Sequence, residues 1–126
     1  MIKFDESKNN DLKDNKMKVS KRDLGTAAII ELEGEMMLGY EANDFQEAIC
    51  DALDRNKKKI VVDLKNVHFI SSWGIGILIH GYTTAKNKKI DMVLAAVPDK
   101  VVDVFKITKL DSVFQKYSNV EAALTE

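Results

Sequence analysis

Apolar residues recur at helical spacing in three segments of the chain, and each segment predicts an amphipathic helix with one buried face. The second segment begins at Ser72. The third begins beside Pro98, whose missing N–H costs nothing in the first turn of a helix. The apolar positions are Phe45, Ala48, Ile49, Ala52 and Leu53 in the first segment, Ile75, Leu78, Ile79 and Tyr82 in the second, and Val101, Val102, Phe105 and Ile107 in the third.

Four runs rich in apolar and β-branched residues predict strands. Residues 17–20 and 27–32 flank Leu24-Gly25-Thr26, a flexible turn, and therefore predict an antiparallel hairpin. Residues 60–64 and 90–95 each follow a predicted helix after a short polar loop. Strands that alternate with helices are typical of an α/β fold, here with a mixed, mostly parallel sheet that is antiparallel at its start. A Ser-x-x-Glu pattern from Ser118 to Glu121 predicts the cap of a short last helix.

The start of the chain differs in composition from the rest. Residues 6–16 are almost entirely Ser, Asn, Asp, Glu and Lys, a composition that buries too little apolar surface to offset the entropy of ordering. The length of 126 residues suits one domain and is short for two. We therefore expect a flexible N-terminal segment at 1–16 and a single folded domain at 17–126.

Charge and cysteine content narrow the class of protein. Nineteen basic residues oppose twenty acidic ones, and a formal net charge of -1 does not favour nonspecific binding to nucleic acid. The lysines at 57–59 and 88–89 predict solvated loops after helices. One cysteine, Cys50, permits no intramolecular disulfide, and its helical position predicts a buried, inert thiol. No signal peptide or membrane-spanning run is recognisable, so we expect a cytoplasmic protein without membrane insertion.

The sequence contains no set of residues typical of catalysis. His68 and His80 are the two histidines, and neither has a Cys or His partner at metal-ligand spacing. Asp63 lies at the end of a predicted strand without a nucleophile or base to act with, so a cap or turn role is favoured. We therefore predict that the protein is not an enzyme and has no metal site and no cofactor.

The segment from Phe69 to Leu78 joins a predicted strand to a predicted helix and has an unusual composition. Either Ser71 or Ser72 can cap the helix, because a hydroxyl oxygen accepts from free N–H groups of the first turn. Gly74 and Gly76 each cost about 1 kcal/mol of helix propensity relative to alanine, which indicates that another element or a partner approaches the backbone closely. Trp73 is either a core residue or a surface anchor for a partner.

These residues resemble a known family. The strand Ile60-Val61-Val62-Asp63-Leu64 followed by Val67-His68-Phe69-Ile70-Ser71-Ser72-Trp73-Gly74-Ile75-Gly76 is similar to the STAS domain of anti-sigma factor antagonists. The similarity also covers Gly34-Glu35, the lysine-rich turn before Ile90 and the closing Glu121-Ala122-Ala123-Leu124, and so spans about residues 17–124. It implies a single STAS domain.

The resemblance implies a function controlled by one serine. Ser72 aligns with the position that an anti-sigma factor serine kinase phosphorylates in this family, and Ser71 is the second candidate. Binding to that anti-sigma factor would free a sigma factor, and phosphorylation would cancel the binding. The implied partner-binding residues are Ser71, Ser72, Trp73, Gly74, Ile75 and Gly76.

The sequence departs from the family pattern at three positions. Ser71 replaces the usual Asp, Trp73 replaces a common hydroxyl residue, and Met37 replaces a frequent Asp near Gly34. These differences motivate an alternative, a phosphorylation-independent STAS scaffold or a transporter-associated regulatory subunit. Whether the domain forms a homodimer is left open.

Overall fold

The computed structural model describes residues 18–36 and 42–125. It contains one five-stranded sheet in the order β1-β2-β3-β4-β5. β1 and β2 are antiparallel, and every other neighbouring pair is parallel. The strands are β1 (Lys18–Leu24), β2 (Ala27–Met36), β3 (Lys59–Ile70), β4 (Asp91–Ala95) and β5 (Lys116–Tyr117). The predicted α/β fold with its antiparallel start is confirmed.

Four helices in the described part of the chain cover the two faces of the sheet: α1 (Ala42–Asp54), α2 (Ser72–Asn87), α3 (Asp99–Ile107) and α4 (Val120–Thr125). The main core joins Phe45 of α1, Leu78 of α2 and Phe105 of α3 to one face of the sheet. A smaller cluster packs Ala123 of α4 against Ile29 and Val61 on the other face. None of these helices is long and apolar enough to cross a membrane.

The hairpin and the helix ends follow the local sequence closely. Gly25 and Thr26 form a two-residue turn between β1 and β2, and Gly25 has a φ of 63°, in the left-handed region that glycine enters at little cost. An ion-pair network then ties this hairpin to the end of α1, because Asp23 binds both Arg55 and Lys57. The predicted Met17 start of β1 lies outside the described residues, as does the predicted flexible segment.

The structure corrects several expectations. β3 continues six residues beyond the predicted end, and its pairing with β2 is shifted where Asp63 accepts a hydrogen bond from the Lys65 N–H at 2.9 Å. The sequence did not predict β5, because a strand of two residues is too short to show an alternating pattern. Asn119, not Ser118, caps the last helix by accepting from the Ala122 N–H at 2.7 Å. Cys50 is exposed rather than buried.

Parallel connections give the sheet two different edges. At the carboxyl edge, β3 and β4 end and helices α2 and α3 begin. At the amino edge, α1, α2 and α3 end and the next strands begin. Functional groups of parallel sheets commonly lie at the carboxyl edge, where loops and helix N-termini meet. The Ser71-Ser72 junction lies at this carboxyl edge.

Close packing between α1 and α2 makes a prediction at Gly81. A Cβ atom there would lie 2.5 Å from the Phe45 ring, which is fully buried and cannot move into solvent. We expect Gly81→Ala to lower the free energy of unfolding by about 1–3 kcal/mol through overpacking. Urea denaturation checks this. Gly76→Ala is the matched control in the same helix, since a Cβ there meets no atom within 4 Å, and it should gain up to about 1 kcal/mol. Equal effects of the two variants would contradict the packing argument.

Candidate functional site

Ser71 is the residue that caps α2. Its backbone is extended, with φ -100° and ψ 179°, and its hydroxyl oxygen accepts a hydrogen bond from the Gly74 N–H at 3.3 Å. The Ile75 N–H donates to the Ser71 carbonyl at 2.9 Å, which closes the first helical turn. The two serines therefore have separate positions: Ser71 ends the connection, and Ser72 is the first helical residue.

Ser72 is exposed at the N-terminus of α2. Within the described residues its hydroxyl has no hydrogen-bond partner. The first turn contains no acidic residue, so the partial positive charge of the helix N-terminus is not offset by a carboxylate there. An anionic group added at Ser72 would therefore enter a favourable field close to free N–H groups.

The predicted partner-binding residues divide between the surface and the core. Ser72, Trp73 and Gly76 are exposed, and their spacing places them on one side of α2. Trp73 has 65% of its surface accessible, which settles its position at the surface. Gly74 and Ile75 are buried, and Ser71 is half-buried. The surface is therefore formed by three of the six residues, while the other three position the helix.

Gly76 has open space around it. A Cβ at this position would contact nothing within 4 Å, so no packing inside the domain requires glycine there. The sequence suggested that glycine is needed here because either another element of the fold or a partner approaches the backbone. The first explanation is wrong for Gly76, and the second stays a prediction.

Three residues that no sequence pattern singled out for this role extend the surface. Phe69, near the end of β3, has 48% of its surface accessible, whereas the other large apolar residues of β3 are buried. His80 and Thr83 are exposed on α2, and helical spacing aligns them with Gly76. A longer predicted β3 would have placed Phe69 at the carboxyl edge. The exposed set Phe69, Ser72, Trp73 and Gly76 is called the junction surface below.

The other candidate groups do not form a reactive site. Asp63 is buried and its carboxylate supports the irregularity in β3, in accord with the turn role favoured from sequence. His68 and His80 are both exposed. Among residues 18–36 and 42–125 there is no group of three or more His, Cys, Asp or Glu side chains that could hold a metal ion.

Fold and site together define a small α/β domain that presents an exposed serine and an aromatic residue at the start of a helix. The model of the STAS domain family matches residues 18–123. The chain therefore belongs to the STAS domain family, and the resemblance seen in the sequence is confirmed.

Solved structures with the same fold come from several functional contexts. An anti-sigma factor antagonist from Mycobacterium paratuberculosis is 23% identical, with 86% of this chain and 92% of that chain covered and a TM-score of 0.71. The unphosphorylated anti-sigma factor antagonist SpoIIAA is 16% identical (85% and 93% covered, TM-score 0.70). The phosphorylated form of SpoIIAA, the Bacillus cell fate determinant, is 15% identical (86% and 96% covered, TM-score 0.65). A sulfate transporter family protein from Wolinella succinogenes is 16% identical (83% and 87% covered, TM-score 0.71).

The cap geometry predicts different effects at the two serines. Ser71→Ala should lower the free energy of unfolding by about 1 kcal/mol because the Gly74 N–H loses its acceptor. Ser71→Asp should retain stability, since a carboxylate also caps and favours the helix N-terminus. Ser72→Ala, the control, should stay within about 0.5 kcal/mol of wild type. Urea denaturation followed by circular dichroism measures all three, and a larger loss at Ser72 than at Ser71 would refute the assignment of the cap.

Proposed function

We propose that this protein is an anti-sigma factor antagonist, which binds an anti-sigma factor through the junction surface and thereby releases a sigma factor. The observation that carries the proposal is the exposed Ser72-Trp73-Gly76 face at the start of α2 in a STAS domain. Solved anti-sigma factor antagonists with the same fold support it. Because sigma factors act on RNA polymerase, the proposal also locates the protein in the cytoplasm.

The junction surface has the features of a protein-binding site. Tryptophan is enriched among residues that contribute most to binding, and Trp73 is largely free of contacts in the isolated domain. Gly76 leaves room for a partner side chain to reach the helix backbone. Phe69 adds a second exposed aromatic ring at the same edge of the sheet. This surface fits a partner that has an apolar pocket for Trp73 and, beside it, a small uncharged side chain that can approach Gly76.

Phosphorylation of Ser72 is the proposed control of this binding. The anti-sigma factor acts as a serine kinase: the γ-phosphoryl group of ATP is transferred to the Ser72 oxygen, the hydroxyl proton is lost and ADP is released. The added group carries a charge of about -2, and it stabilises rather than disturbs the helix N-terminus. In the complex, however, its charge and volume would have to be buried against the partner, which opposes binding.

Ser72 is a better acceptor than Ser71, the second candidate. Its side chain is exposed, whereas Ser71 is half-buried and its oxygen is already used by the Gly74 N–H. Modification of Ser71 would have to break or rearrange the cap. Solved structures of SpoIIAA in unphosphorylated and phosphorylated forms both share this fold, so the fold is compatible with a phosphate group.

A second candidate function is a STAS subunit that is not phosphorylated and regulates a transporter. The Wolinella succinogenes sulfate transporter family protein has the same fold, and Ser71 and Trp73 depart from the pattern of the phosphorylated family. Intact mass after co-expression with the anti-sigma kinases of the same genome separates the two. An increase in mass by one phosphate group, absent from the Ser72→Ala variant, supports the switch. An unchanged mass of the wild-type protein supports the transporter subunit.

The switch predicts that charge at position 72 blocks binding without unfolding the protein. Ser72→Asp should bind the cognate anti-sigma kinase at least about a hundredfold more weakly than Ser72→Ala, because a buried carboxylate without a partner is costly. Its unfolding midpoint should equal or slightly exceed that of wild type. Isothermal titration calorimetry and thermal unfolding measure these effects. Undiminished binding by Ser72→Asp would overturn the proposed control.

The junction surface also predicts a strong contribution from Trp73. Trp73→Ala should weaken binding to the anti-sigma kinase by about 2 kcal/mol or more, while the free energy of unfolding changes by less than about 0.5 kcal/mol. Ile107→Ala is a matched control, since Ile107 is also an exposed apolar residue but lies at the amino edge. Comparable losses for the two variants would show that the junction surface is not the binding site.

A further inference from the structure

At the amino edge of the sheet, opposite the junction surface, exposed lysines lie in three loops and in the last turns of two helices. These loops follow α1, α2 and α3, and they lie at the same edge because each leads into a parallel strand or towards one. Helix C-termini also favour cations. The exposed lysines are Lys58, Lys86, Lys88, Lys89, Lys106 and Lys109. Together they are called the lysine edge.

Carboxylates nearby leave this positive charge largely uncompensated. Asp23 and Asp51 pair with Arg55, and Asp111 lies 2.9 Å from the Lys116 ammonium group, whose hydrogen bond holds the pKa of Asp111 below its ordinary value, with a smaller contribution from the charge of Lys106. In the described parts of the chain, no carboxylate lies within salt-bridge distance of the six lysines. Two further acidic residues, Asp54 and Asp91, lie at this edge, and neither forms an ion pair within the described parts of the chain. The edge therefore has more positive than negative side chains, although the whole chain has a formal charge of -1.

An exposed apolar residue lies among these lysines. Ile107, the last residue of α3, has 80% of its surface accessible, the largest value among the exposed large hydrophobic residues described, and Lys106 and Lys109 flank it. Val113 is also exposed, and it lines a groove of about 430 Å³ together with Lys86. The α2–β4 and α3–β5 loops are therefore neighbours, and Val113 and Lys86 belong to one surface.

We propose that the lysine edge binds the surface of an anionic lipid bilayer, with the lysines at the headgroups and Ile107 at the boundary with the acyl chains. Each lysine near such a surface contributes an attraction that is additive and independent of a fixed geometry, which suits six side chains spread over three loops and two helix ends. An exposed aliphatic side chain surrounded by cations is typical of peripheral membrane contacts.

Other anionic partners fit this surface less well. Lysine is depleted in protein–protein interfaces, where arginine and aromatic residues are enriched, and the lysine edge has no exposed arginine beyond the paired Arg55. A nucleic acid would gain nothing from burying Ile107, and single-stranded binding normally uses exposed aromatic rings. Membrane contact also leaves the junction surface accessible, because it lies at the opposite edge of the sheet.

Vesicle co-sedimentation of the full chain tests the proposal. We expect it to bind vesicles of equal parts phosphatidylcholine and phosphatidylglycerol, not vesicles of phosphatidylcholine alone, and to be released by added salt. Lys58→Glu with Lys88→Glu should lower the partition coefficient by at least roughly thirtyfold, from the lysine contribution alone. Ile107→Gln should also lower the partition coefficient, and its fold-change should not shrink as salt is added, because salt does not screen an apolar contact.

The matched control reverses the same charge at the other edge. Lys65→Glu with Lys100→Glu changes two exposed lysines near the carboxyl edge and should bind the anionic vesicles much more tightly than the Lys58/Lys88 variant. Circular dichroism establishes that both variants are folded. Equal losses in the two variants, or no binding of the wild type to anionic vesicles, would overturn the proposal. Tighter binding to single-stranded DNA than to these vesicles at the same salt would overturn it in favour of nucleic acid.

Discussion

The packing of β3 between two layers of helices is the constraint on which the rest of the structure depends. Val61 and Val62 point to opposite faces of the sheet and are both fully buried, one in the smaller cluster under α4 and the other in the main core. A slip of this strand by one residue would move every side chain into the cluster on the other face, whose packing it does not match. The position of its carboxyl end is therefore fixed, and with it the place where Ser71 turns the chain into α2.

The same parallel connectivity separates two surfaces of different chemistry. Helix N-termini lie at the carboxyl edge, where the backbone offers free N–H groups and where the junction surface presents a hydroxyl and aromatic rings. Helix C-termini lie at the amino edge, where lysines such as Lys88 and Lys106 suit the negative end of the helix dipole. A domain built in this way can hold one edge against a charged surface and keep the other edge available for a regulated partner.

Much of the fold could be predicted from the sequence, because its strands and helices carry strong local signals. The exceptions have physical reasons. β5 is held by its pairing with Leu94 and Ala95 of β4, a contact that no local pattern reveals. The second half of β3 is hidden by polar residues at Lys65 and Asn66, where the pairing with β2 shifts.

The candidate site was predictable in position but not in exposure. The serines and glycines of the junction mark a helix start in the sequence, yet whether Trp73 faces the core depends on how α2 is rotated against the sheet, which tertiary packing decides. Cys50 shows the same limit. It lies about 100° around the helix from Ile49, at the border of the apolar face, and small rotations of α1 decide whether its thiol is covered.

The neutral cap at Ser71 gives the proposed switch its particular character. Where the family has Asp, a permanent negative charge precedes the phosphorylated residue, and phosphate joins a charge already present. In this chain neither the cap nor the first turn of α2 carries an acidic side chain, so phosphate at Ser72 would be the first negative charge at that helix terminus. The unmodified surface is then uncharged and suited to an apolar pocket around Trp73. Phosphorylation would change it from neutral to strongly anionic in one step, while the helix dipole would favour the phosphate in the free domain. The contrast between the two states thus arises from charge at the surface and requires no rearrangement of the core.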